Sequence, residues 1–439
     1  MATNPLHTAS VRDVEDHEHF SLGFTKVEEE EPKPPTDNSF LVTVFLILNT
    51  MIGSGILNQP QVFMASGIFG ALIIFALGSF FTWLGLVVLV DAGTSVKICH
   101  YSELAKFAMG RRGEWWADFF IVLYSFGGLM SYIDIVGGTS SDLFQGWGCT
   151  ANFCQVLSTT SFFIFIFDLP LCLVRFYGHY GLISVISMAS IFSVLCLVII
   201  GGPVVSQYKG PITLANPLGT MAKMGSVLFA IGCAPATFHA YNGMKDTSPA
   251  NWNSVSTHAV VIGALSCCVM GIAGYLVFGS ATHGEIISNF PPIVAGPFKI
   301  LLVAHLILYI PIDFVIMRFS FIRLLGHTQG ELPFIQHAIV TVLMLAAPLI
   351  LVLIMRASGF SEGAAFGFIL DFTGGVAASF TCYIFPAVIY LKVVPSLTAK
   401  YYWPAWAMLL FGIFAAITVP IMNILIMNGN VTYSSGGTY

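Results

Sequence analysis

The first apolar segment of this chain is interrupted at its centre by glycine and polar residues, which restricts what the segment can become. The segment runs from about residue 40 to 64 and is long enough to cross a bilayer as a helix. Its middle reads Asn49-Thr50-Met51-Ile52-Gly53-Ser54-Gly55-Ile56-Leu57-Asn58-Gln59-Pro60. Backbone groups left unpaired at membrane depth are tolerated only where they line a cavity or are buried in protein. The interruption therefore predicts either a small-solute site with exposed backbone dipoles or a place where small residues let helices pack closely.

The rest of the chain is typical of a membrane protein. Of its 439 residues, 56% are hydrophobic and only 9% are charged, so a soluble globule would lack polar surface. Windows of about 20 apolar residues predict eleven transmembrane helices, and the expected fold class is an all-α polytopic membrane protein whose first partner is the lipid bilayer. The windows lie at about residues 40–64, 68–92, 116–140, 157–175, 180–203, 219–242, 258–279, 295–317, 334–355, 364–391 and 402–427.

The chain divides into three predicted regions. Residues 1–39 carry nine acidic side chains and a run of four glutamates at 28–31, and we expect a disordered cytoplasmic arm. No basic-then-apolar stretch with a cleavage site precedes the first window, so we expect that window to direct insertion. Residues 40–427 form the predicted transmembrane domain, and 428–439 a short tail on the outer side. Because the net charge of −5 comes largely from the arm, we expect no nucleic-acid partner.

Lysine and arginine predict the orientation. With the N-terminus in the cytoplasm, the inner segments hold all of the 17 Lys and Arg except Lys209, Lys223, Lys299 and Arg356. The positive-inside rule then favours an inner N-terminus and, with eleven windows, an outer C-terminus. The sequon Asn430-Val431-Thr432 lies in the tail that this topology places outside, so Asn430 is a candidate for glycosylation. The plasma membrane and a vacuolar or lysosomal membrane both remain open.

Most of the nine cysteines fall inside the apolar windows, where a small apolar thiol is the ordinary interpretation. Cys149 and Cys154 stand together in the loop after the third window and are candidates for a disulfide. The chain shows neither a Cys/His spacing typical of zinc nor a glycine-rich phosphate loop before a helix. We therefore predict no metal and no cofactor other than a coupling ion.

The sixth window is interrupted as well. Between Phe229 and Tyr241, Pro235 removes a backbone donor and Gly232 relaxes the helix beside it. A proline kink alone is common in membrane helices. Paired interruptions at corresponding places in two halves are, however, typical of an inverted-repeat transporter whose site lies at the bilayer midplane. We expect windows one to five and six to ten to form a 5+5 inverted repeat, with the eleventh helix outside it.

The two interruptions suit the backbone of an amino acid. Amides in the first begin a half-helix whose positive dipole end attracts a carboxylate: those of Gly53, Ser54, Gly55 and Ile56. Carbonyls freed in the second accept an ammonium: those near Phe229, Ala230 and Gly232. Asn49 and Thr50 add ion or substrate contacts, and Phe229 is the expected aromatic lid. Since neither interruption contains an acid or a base, we expect a neutral substrate side chain.

These motifs resemble a known family. The segment 49–60 is similar to the first-helix signature of the amino acid/auxin permease superfamily, especially its neutral amino acid transporter branch, solute carrier family 38. The stretch from Phe229 through Met244-Lys245-Asp246 to Pro249 resembles the sixth helix of that family and the loop after it. Residues 366–392 resemble the tenth helix, and Tyr101-Ser102-Glu103-Leu104-Ala105 the loop after the second. The resemblance covers residues 40–427 and implies a leucine-transporter-like fold. Where many members place Gly-His, this chain has Cys233-Ala234, and His239 is either a hydrogen-bonded helix histidine or a substitute ligand.

Acids inside the windows are the candidates for ion coupling, because a charged side chain at the bilayer centre is expensive. Of Asp134, Asp168, Asp313 and Asp371, we expect Asp168 and Asp371 to be structural, either as acids that reach the membrane interface or as partners of buried hydroxyls. Asp313 follows Pro311 in the eighth window, with Arg318 as a candidate partner.

The eighth window also lacks hydroxyls. Sodium-coupled members of the implied fold present Ser or Thr from this helix to the ion, yet residues 298–319 contain neither. His305, Tyr309 and Asp313 are groups of this window that can carry or relay a proton. We therefore favour H⁺ over Na⁺, and we predict that Asp313, His305 and Asn49 take part in coupling.

The sequence thus predicts a secondary active transporter, an ion-coupled symporter of neutral amino acids, rather than an enzyme. An amino-acid-sensing receptor of the same fold is the alternative, because binding without turnover leaves the same motifs. An intramembrane aspartyl protease would need a Gly-x-Gly-Asp arrangement that the sequence lacks.

Overall fold

The computed structural model describes residues 38–174, 180–205, 211–327, 332–359 and 362–428, without the side chains of 180–187 and 362. Three predictions lie outside these residues: the acidic arm over 1–37, most of the short connection after Arg175, and the sequon at Asn430.

The regular secondary structure of the described residues is helical, apart from one isolated β-bridge. The α-helices, in chain order, are α1 (Phe40–Met51), α2 (Gln59–Val96), α3 (Tyr101–Gly146), α4 (Val156–Phe163), α5 (Leu169–Cys172), α6 (Tyr180–Cys196), α7 (Gly202–Val205), α8 (Pro217–Ala230), α9 (Thr237–Asn242), α10 (Pro249–Phe278), α11 (Pro292–Leu324), α12 (Phe334–Ala357), α13 (Glu362–Thr373), α14 (Phe385–Val393) and α15 (Tyr402–Met427). Wider π-helical turns join α4 to α5 (Ile164–Asp168), α6 to α7 (Leu197–Gly201) and α13 to α14 (Gly374–Ile384).

Nine of the helical segments in the described residues are long and apolar enough to cross a membrane. Two shorter apolar helical segments, Phe40–Met51 and Val156–Cys172, coincide with the first and fourth predicted windows. The first segment is short because its helix breaks after Met51. The fourth is short because its helix ends at Cys172, before the end of the predicted window at 175. These findings support an integral multi-pass membrane protein, while the count of eleven crossings stays a prediction.

Two glycines bend long helices that the apolar windows treat as separate elements. Gly67 in α2 and Gly110 in α3 both have a φ of 72°, a conformation that glycine adopts without a steric penalty. The bend at Gly67 falls between the first two windows, which end at 64 and begin at 68. Gly110 separates a first segment, Tyr101–Met109, from the long helix that contains the third window.

Both predicted interruptions are breaks in the helices. α1 ends at Met51, and a tight 3₁₀ turn, Ser54–Asn58, precedes α2. α8 ends at Ala230, and α9 begins only at Thr237, after the 3₁₀ turn Ala234–Ala236. The two broken helices meet, since a Cβ built on Gly55 would lie 2.9 Å from both Cα and Cβ of Ala230.

The two broken helices are also linked at a distance from the breaks, where α1 begins and α9 ends. Asn38 pairs with the loop after α9 in the isolated β-bridge: its N–H donates to the Gly243 carbonyl at 3.1 Å, and its carbonyl accepts from Lys245 N–H at 3.1 Å. The start of α1 and the end of α9 are thereby held together.

At the opposite end, α8 and α13 pack tightly around a buried ion pair. Lys223 Nζ lies 2.7 Å from Asp371 Oδ2, and both side chains are 0% exposed. Asp371 also accepts hydrogen bonds from the Ser226 hydroxyl and, at 3.2 Å, from the Ser226 N–H. The expectation of a structural role for Asp371 agrees with these bonds, but the pairing with Lys223 was not expected from sequence. Backbone contact is close too, because a Cβ on Gly225 would overlap the Asp371 carbonyl.

Candidate functional site

A cavity of about 360 Å³ lies between the two breaks, within the size range of small-molecule sites. Its walls come from α1, α3, the α8–α9 break and α11. We call the end of the molecule where it opens the open end; the residues around the mouth are Cys99, His100, Tyr101, Ser102, His239, Asn242, Ser320 and Arg323. The closed end is the opposite side, marked by Lys223, Ser226, Asp371, Gly225 and Gly374.

The structure brings only some of the predicted residues to the cavity. Those that line it are Asn49, Thr50, Gly53, Phe229, Gly232 and Asp313. Those that lie behind its wall are Ser54, Gly55, Ile56, Ala230 and His305. The 3₁₀ turn after Gly53 carries its side chains into the packed region between the broken helices, which explains this division.

Gly55 has a packing role that the sequence left open. Its Cα faces α8 so closely that an added Cβ would lie 2.9 Å from Ala230 and 3.3 Å from Phe229 Cδ1. The close approach of the two broken helices therefore depends on a residue without a side chain here. Ser54 is fixed in the same region by a 2.7 Å hydrogen bond between its hydroxyl and that of Ser131 on α3.

Helix α3 contributes cavity residues that the sequence analysis missed. The Tyr124 hydroxyl donates to the Gly232 carbonyl at 2.8 Å, so it occupies one of the carbonyls freed by the second break. Tyr132 lines the cavity beside Gly53, with its hydroxyl 3.0 Å from the position of a Gly53 Cβ. Tyr124, Ser125 and Tyr132 recur over about two helical turns, and this polar stripe in an apolar window was the available signal.

Helix α11 faces both the first break and α3. The Tyr309 hydroxyl donates to the Asn49 carbonyl at 3.1 Å, which places the eighth window beside the first break. Asp313 is partly exposed in the cavity, and its Oδ1 accepts from the Ser125 hydroxyl at 3.1 Å. The acid and the hydroxyl on opposite helices form the polar centre of this wall.

The expected pairing of Asp313 with Arg318 is wrong. The Arg318 guanidinium donates to the carbonyls of Cys172 and Val174 and to the Thr341 hydroxyl. Five residues correspond to about 140° around an α-helix, so the two side chains point to different faces of α11.

His305 does not reach the cavity. It is buried two turns before Asp313, and its ring centroid lies 5.5 Å from that of Tyr309. Neither ring nitrogen has a hydrogen-bond partner within the described part of the chain. Any link between His305 and the cavity therefore runs through Tyr309.

The remaining intramembrane acids lie away from the cavity. Asp134 pairs with Arg356, with Nε 2.6 Å from Oδ1. Asp168 is fully buried on the π-helical turn Ile164–Asp168, and its carboxylate has no hydrogen-bond partner among the described residues. Asp168 lies outside the cavity, but within the described residues its carboxylate neither reaches the surface nor binds a hydroxyl, so the expected role at the interface or beside a hydroxyl is not confirmed.

An ion pair and a disulfide lie outside the centre of the cavity. At the mouth, Arg323 Nη2 lies 3.1 Å from Asp118 Oδ1, which also accepts from the Ser102 hydroxyl at 2.8 Å. In the loop after α3, Cys149 and Cys154 form a disulfide, with their Cα atoms 6.2 Å apart.

The sequence matches a family model over almost its whole length. The model, described as transmembrane amino acid transporter protein, covers residues 36–426. Among curated relatives, the putative sodium-coupled neutral amino acid transporter 11 of Mus musculus is 25% identical over 371 residues, which are 80% of this chain and 77% of the relative. Sodium-coupled neutral amino acid transporter 7 of Homo sapiens is 27% identical over 270 residues, 58% of this chain and 57% of the relative.

Solved structures share the fold at low sequence identity. MhsT in complex with L-phenylalanine aligns with a TM-score of 0.51 at 16% identity, covering 89% of this chain and 99% of MhsT. Mhp1, a nucleobase-cation-symport-1 family transporter, aligns with a TM-score of 0.55 at 14% identity, covering 91% and 96%. The helices of this chain are therefore arranged as in known transporters.

Proposed function

Because this chain belongs to the transmembrane amino acid transporter family, we propose that it is a secondary active transporter that carries neutral amino acids together with a coupling ion. The observation that carries the proposal is the meeting of two broken helices at one cavity. The names of its relatives support a neutral substrate, since they are described as neutral amino acid transporters. The absence of acids and bases from both breaks in the sequence supports it as well.

In the proposed pose, the substrate lies between the breaks. Its carboxylate faces the amide end at Gly53, where the following half-helix presents its positive dipole. Its ammonium faces the carbonyls at the end of α8, near Phe229 and Gly232. Tyr124 already donates to the Gly232 carbonyl, but a carbonyl oxygen has two lone pairs and accepts a second donor.

The coupling ion in this proposal is a proton carried by Asp313. The carboxylate faces the cavity, and the described α11 offers no Ser or Thr between residues 298 and 319 as a sodium ligand. The relatives named above are sodium-coupled, so the identity of the ion needs a direct test.

The proposal includes the architecture expected from sequence, with eleven crossings, a 5+5 inverted repeat and a cytoplasmic N-terminus. It is supported by the breaks in the first and sixth windows. Epitope tags at residues 1 and 439 test the topology in sealed cells. We expect the second tag alone to be accessible from outside, and both tags on one side would overturn the odd number of crossings.

Uptake by purified full-length protein in sealed vesicles tests the function. Radiolabelled neutral amino acids are supplied with a pH gradient or a sodium gradient imposed separately. We expect concentrative uptake with the pH gradient and little change when choline replaces sodium. Strong sodium dependence would overturn proton coupling and direct the search for ligands to Asn49, Thr50 and the carbonyls near Gly53. Saturable binding without uptake would overturn transport in favour of a receptor.

A further inference from the structure

Asp313 stands at the far wall of the cavity, where a substrate side chain would project. The proposed pose fixes the α-carboxylate and α-ammonium at the breaks, and the inference below rests on that pose. A Cβ built on Gly128 of α3 would lie 2.8 Å from Asp313 Oδ2 and 3.8 Å from the ring tip of Phe229. The carboxylate therefore packs closely against Gly128, and a side chain at this position would crowd the part of the cavity between Asp313 and Phe229.

Asp313 has no ion-pair partner among the described residues. Its carboxylate accepts a hydrogen bond from the neutral Ser125 hydroxyl, and the titratable groups that face it are Tyr124 and Tyr132 of α3 and Tyr309 of its own helix. The broken helices present Asn49, Thr50 and Phe229 to it, none of which carries a charge. The sequence of α6, which also packs on α11, contains no charged residue between 180 and 196.

No basic group of the described α11 or of the cavity wall lies beside Asp313. On α11, Lys299 pairs with Asp142, and His305 is buried behind the cavity wall two turns before Asp313. Arg323 is paired with Asp118 at the mouth, and His100 and His239 also lie in that region. On the far face of α11, Arg318 donates to the carbonyls of Cys172 and Val174, near Asp168, while His337 of α12 contacts the Leu173 carbonyl. The carboxylate of Asp313 therefore faces a cavity without a cation to balance it.

An ionised carboxylate at membrane depth needs a positive charge close by. The proposed coupling proton is one such charge. The side chain of a cationic amino acid is another, and it would bring the same single positive charge into the same space. The apolar surfaces of Phe229, Ile121 and Ile312 along the wall suit the methylene stem of such a side chain.

We infer that Asp313 also selects a second class of substrate, amino acids with cationic side chains such as lysine and arginine, whose charge takes the place of the coupling proton. The charge balance is the same in both modes. A neutral amino acid moves with one proton on the Asp313 carboxylate, and a cationic amino acid moves with that carboxylate ionised and no proton bound. Each mode carries one net positive charge.

The two modes have opposite pH dependence. Acidification on the entry side loads the proton and so increases uptake of a neutral substrate. The same acidification removes the negative charge that holds a cationic side chain, so it decreases uptake of lysine. Lysine and the neutral substrate also exclude each other, because they occupy one site.

The test uses the full-length protein in vesicles that contain a pH-sensitive dye, with a panel of neutral amino acids, lysine and arginine supplied in turn. We expect neutral uptake to acidify the lumen and lysine uptake to follow the membrane potential without acidifying it. Asp313→Asn should lower lysine uptake by about 30-fold or more, the effect of removing one partner of a desolvated charge pair. The variant should retain exchange of neutral substrate.

Two further variants keep the result interpretable. Asp168→Asn, which removes an intramembrane acid away from the cavity, should leave the lysine-to-neutral ratio unchanged. Gly128→Ala fills the space beside Asp313 Oδ2 and should reduce lysine uptake more than uptake of a small neutral substrate. If Asp313→Asn does not fold, the ratio of lysine uptake to neutral uptake by Gly128→Ala tests the inference, and an unchanged ratio would overturn it.

The outcomes separate the inference from the function on which it rests. Proton-coupled uptake of neutral amino acids, with no uptake of lysine and no inhibition by lysine, would overturn the inference and leave the proposed function intact. Lysine uptake that acidifies the lumen would do the same. Uptake of neither class would overturn the proposed function and the inference with it.

Discussion

The open and closed ends of the molecule are held by different kinds of contact. At the closed end, Lys223 and Asp371 are fully buried and backbone meets backbone at Gly225. At the open end, a cavity lies between α1, α3, α9 and α11, and charged residues such as Arg323 remain partly exposed. The ion pair between Lys106 and Glu114, which lie on either side of Gly110 in α3, has side chains that are 56% and 22% exposed.

This difference shows where the cost of a conformational change lies. A transporter that alternates access must separate contacts at one end as it forms them at the other. When the contacts of the closed end separate, two charged side chains become exposed, and water solvates them well. Contacts made only by apolar side chains would instead expose apolar surface to water, which is unfavourable. A buried ion pair adds little net stability over an apolar pair but is strongly destabilised when one partner is missing. We therefore expect the fully buried pair at the closed end to be more sensitive to a single charge change than the exposed Lys106–Glu114 pair at the open end.

The largest expected effect follows from breaking the buried pair. Asp371→Asn removes the carboxylate that pairs with the buried Lys223 ammonium and should lower the free energy of unfolding by about 3–5 kcal/mol. Thermal unfolding of the purified protein in detergent measures the loss. The double variant Lys223→Met/Asp371→Leu, which removes both charges, should recover most of it.

The matched change at the open end is Glu114→Gln. Because Lys106 is largely exposed, this variant should lose at most about 1 kcal/mol. Losses of equal size at the two ends would show that burial does not distinguish them.

A smaller effect is expected from Gly55→Val, at the boundary between the cavity and the packed region. The added Cβ would meet the backbone of Ala230 at 2.9 Å, and overpacking of this kind costs about 1–3 kcal/mol. We expect inserted protein with uptake reduced to background, measured by surface labelling and radiolabelled uptake.

Gly78→Ala in α2 is the control for that variant. Its Cβ would lie 2.8 Å from Ile231 Cδ1, the flexible end of a side chain that can shift. Uptake should be retained. Normal uptake by Gly55→Val would mean that the approach of the two broken helices is not needed for transport.

The smallest expected effect is a difference in labelling rate that leaves stability unchanged. Cys99 lines the mouth at the open end, whereas Cys267 and Cys382 are buried. A membrane-impermeant thiol reagent, followed by mass spectrometry, should modify Cys99 from the side that carries residue 1 and spare the other two. Because partial burial raises the pKa of the Cys99 thiol, labelling should be faster at alkaline pH. Equal modification of Cys267 would contradict the contrast between the ends.

Local chemistry explains what could be predicted from sequence. Gly53 and Pro235 disturb the hydrogen bonding of their own helices, so both breaks were visible without knowledge of any partner. The family assignment was correct for the same reason, since its motifs are short stretches around these breaks. Asp313 also stood out, because an acid in an apolar window is expensive wherever its helix lies.

Contacts between distant segments explain what was missed. Lys223 and Asp371 are 148 residues apart, and nothing in either window predicts that they meet. Tyr124 and Tyr132 lie on an unbroken helix, so their approach to the breaks depends on how α3 packs against α11. The suggested pairing of Asp313 with Arg318 failed because proximity along the chain is not proximity around a helix.

The amino-acid sequence by itself determined a helical membrane protein of the amino acid transporter family with two interrupted helices, because apolar length, glycine and proline act over a few residues. Only the tertiary structure decided that the cavity ends at Gly53 and that Gly55 packs against α8 behind the cavity wall. It also decided that a buried ion pair closes one end while the other end is open. These features depend on which faces of separate helices come together, and the free energy of that packing is shared among residues far apart in the chain.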